Sequence, residues 1–273
     1  MDAQQLVIDG AEVIADISKW DRLFTARVVD ILRPIVRHYF RSEVRGLSHI
    51  PAGGALLVAN HSGGVISTDP PTFAVAFYDE FGYDRPLLTL SHDVFSRGPT
   101  RQFFLRTGFI PANPKNAAEA LASDAVVVVF PGGDYDASRP TSKRHVIDFK
   151  GRTGYVRAAI DAGVPIVPMV SIGGQETQLF LSRGTWLAKR LGLKERLRSD
   201  LAPVSVGFPF GLSLGGINFP LPAKLVTQVL PPIDIRSQFG GHPDVDEIDV
   251  HVRAVMQAEL DRLAGDRRLP VFG

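Results

Sequence analysis

Two short stretches pair side chains that can move protons with glycines that let a ligand approach the backbone. In the first, Asn60-His61-Ser62-Gly63-Gly64 follows the apolar run ALLVA, and Asp69 stands eight residues beyond the histidine. An imidazole can be neutral near pH 7 and take a proton from an alcohol, provided its other ring nitrogen is held by an acceptor. Asp69 is the nearest carboxylate in sequence, with Asp134 and Asp136 as competitors. Asp69-Pro70-Pro71 also reads as a helix N-cap followed by first-turn prolines, and the two roles can coexist. The second stretch is Phe130-Pro131-Gly132-Gly133-Asp134, running on through Asp136 to Arg139. Glycine pairs after a strand can aim N–H groups at a developing oxyanion.

The elements around these stretches must carry them to one place. ALLVAN (55–60), PLLTLSH (86–92), DAVVVVF (124–130) and VPIVPMVSIGG (164–174) read as buried strands, with KLVTQVL (224–230) as a final one. Between them lie helical patterns: PPTFAVAFYDEF (70–81), part of 94–108, a helix capped by Asn113 with Pro114 at its first position, one closed by Gly163, and a last one over 244–264. Strands alternating with helices predict an α/β fold, a mixed and mostly parallel sheet flanked by helices. Ligands of such sheets sit beyond the carboxyl ends of the strands, so the two loops are expected to face one cleft.

Composition narrows the field. The 273 residues carry 45% hydrophobic and 22% charged side chains and a net charge of +1, which fits a globular chain with no overall field for nucleic acid. With no cysteine there is no thiolate metal site and no Cys acyl-enzyme. The histidines outside the first stretch are scattered, and no metal motif is present. The opening residues lack a basic n-region with an apolar core, and no window reaches the roughly 18–20 apolar residues of a membrane span.

Two regions combine apolar and basic residues. Residues 11–40 carry Trp20, Phe24, Val28 and Ile31 at helical spacing, with Pro34 set to end or kink the helix and seven basic residues from Lys19 to Arg45. Residues 177–198 read as basic amphipathic helix, followed by the apolar, Pro/Gly-rich segment 203–223. The first could lie on an anionic membrane or pack on the main domain; the second could form the mouth of an acyl channel or a membrane contact, or simply cover the sheet.

The ordered set NHSGG…D, GFIPANPKNAAEAL, VVVVFPGGDYDASRP and VPIVPMVSIGG resembles the four blocks of the glycerolipid acyltransferase superfamily. It is most similar to the mono- and diacylglycerol acyltransferase-like branch, over roughly Leu47 to Gly174. The resemblance implies an α/β acyltransferase domain over 47–273 behind an N-terminal amphipathic helical segment, 1–46. It implies O-acyl transfer from acyl-CoA or an acyl carrier protein to a lipid or glycolipid hydroxyl, with His61 as base and Asp69 as its orienter. No tightly bound cofactor and no metal are implied. A peripheral place on the inner, cytoplasmic face of the cell membrane is implied, and the oligomeric state stays open. Asn60, Ser62, Gly63, Gly64, Asn113, Lys115, Gly132, Gly133, Asp134, Arg139 and Arg152 become candidate substrate contacts. The chain departs from the family at three positions: Ile66 stands where the aspartate usually falls, Gly132 replaces the glutamate of Pro-Glu-Gly, and Asn113 replaces an arginine. The last two weigh against a glycerol-phosphate acceptor.

Two rival readings are available. GLSLG (211–215) matches Gly-x-Ser-x-Gly, and Ser213, Asp234 and His242 or His251 follow in α/β-hydrolase order. A nucleophile elbow needs a helix after the serine, and Pro220 and Pro222 oppose one. The other rival is a non-catalytic, lipid-binding relative.

Overall fold

A computed structural model of the protein describes residues 16–64, 66–96, 98–193, 200–215, 218–269 and 271–272. In chain order the helices are α1 (Arg22–Pro34), α2 (Asp69–Phe81), α3 (Arg101–Arg106), α4 (Pro114–Ala122), α5 (Gly133–Ala137), α6 (Gly154–Ala162), α7 (Thr185–Arg190), α8 (Ile235–Phe239) and α9 (Val245–Asp266). The strands are β1 (Glu43–Arg45), β2 (Ala55–Ala59), β3 (Leu87–Ser91), β4 (Phe109–Pro111), β5 (Val126–Val129), β6 (Ile166–Ile172), β7 (Leu179–Ser182), β8 (Val204–Gly207), β9 (Gly211–Leu214) and β10 (Val226–Val229).

Seven strands form the main sheet in the order β1-β10-β6-β2-β5-β3-β4. From β6 to β4 all neighbours are parallel; β10 runs antiparallel to β6, and β1 parallel to β10. This is the mixed, mostly parallel α/β sheet that the alternating elements predict. Side chains alternate across each strand. Leu56 and Val58 of β2 and Val127 of β5 face the layer holding Leu121, Val156, Val252 and Met256, on α4, α6 and α9. Leu57 of β2 and Val126 and Val128 of β5 face Val29, Phe73 and Phe77, on α1 and α2. Burial on both faces explains why β2, β5 and β6 read as continuous apolar runs rather than alternating ones.

The sequence signals at helix ends hold in part. The Asn113 side chain accepts the Asn116 N–H at 2.8 Å and caps α4, and Gly163 closes α6 in the left-handed region at φ 65°. Pro34 ends α1, and a π-helical turn, Ile35–Tyr39, follows. Within the predicted helix of 11–40, residues 11–15 lie outside the described residues. Asp69 is the first residue of α2 rather than its N-cap, a place Thr68 takes. Its carboxylate turns away from the helix toward the preceding loop.

Residues 177–198, expected to be helical, fold otherwise: among the described residues Leu179–Ser182 forms β7, helix is confined to Thr185–Arg190 and Leu193, and 194–198 lie outside the described residues. With β8 and β9, β7 makes a separate three-stranded antiparallel sheet. Apolar residues at 179, 180 and 181 fit strand and helix alike, and the basic residues that follow favoured the helical reading.

Candidate active site

Three strands that lie side by side, β5, β2 and β6, each run out into a glycine pair: Gly132-Gly133, Gly63-Gly64 and Gly173-Gly174. Their carboxyl ends therefore converge, as expected for a parallel sheet. The His61 ring lies against Phe130 with centroids 4.4 Å apart. The Gly64 N–H donates to the Ala137 carbonyl at 3.0 Å, tying the first loop to the second.

The carboxylate of Asp69, 4% exposed, is the one that reaches the imidazole. His61 Nδ1 lies 3.2 Å from Asp69 Oδ2. The same carboxylate accepts the Ser62 N–H at 2.6 Å and the Ser62 hydroxyl at 2.8 Å. Ser67 Oγ bridges the pair, 3.3 Å from Nδ1 and 3.4 Å from Oδ2. Left-handed backbone at Gly63 and Gly64, φ 85° and 70°, folds the loop back so that a spacing of eight residues still closes. A carboxylate can only accept, so the Nδ1–H donates to Asp69 and Nε2 carries the lone pair. Among the described residues Nε2 has no hydrogen-bond partner and is not buried.

Asp136 does something different. Fully buried at the end of α5, it accepts the His61 backbone N–H at 2.6 Å through Oδ2 and pairs with the buried guanidinium of Arg139 through Oδ1. Burial, with Arg183 nearby, pulls the Arg139 guanidinium down to about 10. Gly132 makes the approach of Asp136 possible: a Cβ there would lie 2.4 Å from the Asp136 Cβ. The glutamate that family members carry at this place could not sit beside Asp136 without displacing it.

The other predicted site residues fall into four groups. Asn60 exchanges two 2.8 Å hydrogen bonds with the Ser171 backbone and locks β2 to β6. Arg152 donates to the carbonyls of Pro131 and Gly132 at 3.1 and 3.0 Å and reaches Asp134 at 3.5 Å, so it braces the second loop. Asn113 and exposed Lys115 lie at the start of α4, after the edge strand β4. Of the candidate oxyanion donors, the N–H groups of Ser62, Gly64 and Gly133 are bonded within the protein. Those of Gly63 and Gly132 are not, among the described residues.

Sequence reasoning passed over Ser67, Phe130, Gly174 and Gln178. A Cβ on Gly174 would lie 1.9 Å from Ser62 Oγ, so the third loop presses on the hydroxyl that holds Asp69. Gln178 Nε2 donates to the Gly63 carbonyl at 3.1 Å. The available signal was the third glycine pair, placed after a buried strand like the other two.

The hydrolase constellation is not assembled. Ser213 sits mid-strand in β9 opposite Ser205, and β9 is not followed by a helix among the described residues. Asp234 caps α8, and His251 packs on Phe239. The described residues contain no group of three or more His, Asp or Glu that could hold a metal ion.

A three-layer α/β fold with a histidine–aspartate pair at converging strand ends defines the class. The acyltransferase family model matches residues 41–172. An uncharacterised protein of Mycobacterium tuberculosis is 34% identical over 253 residues, covering 89% of this chain and 68% of the relative. A Mus musculus protein named DGAT1/2-independent enzyme synthesizing storage lipids is 31% identical over 183 residues, 62% of this chain and 50% of the relative. In fold, the chain is similar to the 1-acyl-sn-glycerophosphate acyltransferase PlsC of Thermotoga maritima, with a TM-score of 0.54 at 18% identity over 88% of this chain and 81% of that one. The protein belongs to the glycerolipid acyltransferase superfamily and is an acyltransferase.

Proposed function

We propose that the protein moves a fatty acyl group from an acyl thioester, acyl-CoA or an acyl carrier protein, to a hydroxyl of a lipid or glycolipid alcohol. The observation that carries this reading is the His61–Asp69 pair at 3.2 Å with Nε2 left open. The acceptor hydroxyl gives its proton to Nε2 as its oxygen attacks the thioester carbonyl. The tetrahedral intermediate collapses, the C–S bond breaks, and the leaving sulfur takes the proton back from the imidazolium. A thiol with a pKa near about 8.5 leaves with little acid assistance, so one base serves both steps. Asp69 holds the tautomer and stabilises the imidazolium. The N–H groups of Gly63 and Gly132 are the candidates to meet the oxyanion. The reaction needs no covalent acyl-enzyme.

An uncharged acceptor fits better than a glycerol phosphate. Gly132 and Asn113 replace the glutamate and arginine of the phosphate-acceptor blocks, and the curated relatives include a diacylglycerol O-acyltransferase 2-like protein of Mus musculus. Both proposed substrates are amphiphiles, which supports work at a membrane surface; no helix among the described residues is long and apolar enough to cross one. The test is thiol release from acyl-CoA over a panel of acceptors. Monoacylglycerol, diacylglycerol and glycolipid alcohols are expected to be turned over well above glycerol-3-phosphate and lysophosphatidic acid. Preference for the phosphate acceptors would overturn the acceptor assignment.

A further inference from the structure

The small sheet is built with its polarity reversed. Along β8 and β9, Ser205 and Ser213 point inward at 2% and 7% exposure, while Val206, Leu212 and Leu214 point outward at 38%, 61% and 61%. A sheet with one face in water places its apolar side chains on the other face. Here the outward residues are also neighbours in register: Leu179 pairs with Val206, and Val206 with Leu212. Phe208 and Phe210, on the β8–β9 connection, extend the same patch at 62% and 68% exposure. Contiguous apolar patches of this kind mark an interaction surface, whereas isolated apolar residues do not.

Charge indicates what covers it. No charged residue occurs between 201 and 222. The segment just before carries Arg183, Lys189, Arg190, Lys194, Arg196 and Arg198 against Glu195 and Asp200, in a chain whose overall charge is only +1. Lys189 and Arg190 on α7 are exposed and make no ion pair among the described residues. An uncharged apolar face, on a sheet whose strand β7 is followed within a few residues by the helix carrying the unpaired Lys189 and Arg190, fits an anionic bilayer, with side chains in the acyl region and cations at the headgroups.

We propose that the outward face of the β7-β8-β9 sheet, with the Phe208–Phe210 connection, is the surface by which the protein docks on anionic membranes. This rests on the reading above that the reaction takes place at a membrane, and names the surface that does it. The inner face of the same sheet meets the catalytic loop: Gln178 holds the Gly63 carbonyl, and a Cβ on Gly64 would lie 2.8 Å from the Phe180 ring. Docking through the outer face therefore holds the His61 loop one sheet's thickness, roughly 10 Å, from the bilayer surface.

The test is flotation of the full chain with phosphatidylcholine vesicles, with and without phosphatidylglycerol. Wild type is expected to float with the phosphatidylglycerol vesicles. Leu212→Glu/Leu214→Glu is expected to bind about tenfold more weakly or less, with Phe208→Ser as a second, milder probe whose thermal melt is checked alongside. Lys189→Gln/Arg190→Gln is expected to lose about 30-fold on the anionic vesicles and little on the neutral ones. Ile31→Glu, at an exposed position of α1, is the control and is expected to bind as wild type. Unchanged binding by the double leucine variant, loss by Ile31→Glu, or a dimer that the leucine changes dissociate would each overturn the proposal. Flotation needs no turnover. His61→Ala is expected to float as wild type does, so failure of docking and failure of catalysis are read separately.

Discussion

Asp69 and Asp136 are two buried carboxylates that accept the N–H groups of consecutive residues, Ser62 and His61, each at 2.6 Å. Their surroundings otherwise differ. Asp136 is paired with the Arg139 guanidinium, so its charge is balanced within the protein. Asp69 has no lysine or arginine in contact among the described residues; hydroxyls, an amide and the imidazole surround it. In the proposed reaction, a proton arriving on His61 would meet the carboxylate of Asp69, which is in no ion pair with a lysine or arginine among the described residues, whereas Asp136 is already paired. On that proposal the two aspartates divide into one that stabilises a charge made during the reaction and one that fixes the chain.

Four substitutions break or sharpen that division. Asp136→Asn keeps an acceptor for the His61 N–H but strands a buried guanidinium. It should destabilise the fold by about 3–5 kcal/mol in chemical denaturation. Asp69→Asn should leave stability within about 1 kcal/mol, while lowering kcat on the order of 10- to 100-fold because the amide no longer enforces the tautomer. Gly132→Ala, which sets a Cβ against Asp136, should cost about 1–3 kcal/mol and leave Asp69 untouched. Ser67→Ala removes only long bonds to the pair and should change kcat by less than about tenfold. If Asp136→Asn proved stable and inactive while Asp69→Asn stayed active, the two roles would have to be exchanged.

The same contrast between paired and unpaired charge separates the two basic, apolar regions. Both looked alike as sequence. In the N-terminal one, Arg33 and Arg37 pair with Asp79, Arg22 with Asp84 and Arg106 with Asp21, and Val29 and Val36 pack into the core. That helix is fitted to the body of the enzyme by one face, with Leu23 and Ile31 exposed on the other. The segment around β8 and β9 leaves its apolar side chains outside instead. Only tertiary contacts reveal this, because a hydrophobic run does not say which side of it will be covered.

What the sequence disclosed follows the range of each interaction. Strands β2, β5 and β6 were legible because burial on both faces makes them apolar throughout, and α4 because its cap is three residues from its partner. The His61–Asp69 pair was legible because both ends lie on one loop, although the helix-cap assignment misplaced Asp69 by one position. β1 and β4, at three residues each, are too short to show a period. The contacts of Asp136 with His61, and of Gly174 with Ser62, depend on β2 lying between β5 and β6. Chain order does not contain that neighbourhood.

The central claim is that Nε2 of His61 takes the proton of the attacking hydroxyl. The most direct measurement is thiol release from acyl-CoA in the presence of a lipid alcohol, with wild type and His61→Ala run side by side at matched stability. The variant is expected to lose about 10²- to 10⁴-fold in rate while its melting temperature stays near that of wild type. Equal thiol release by the two proteins would contradict the claim.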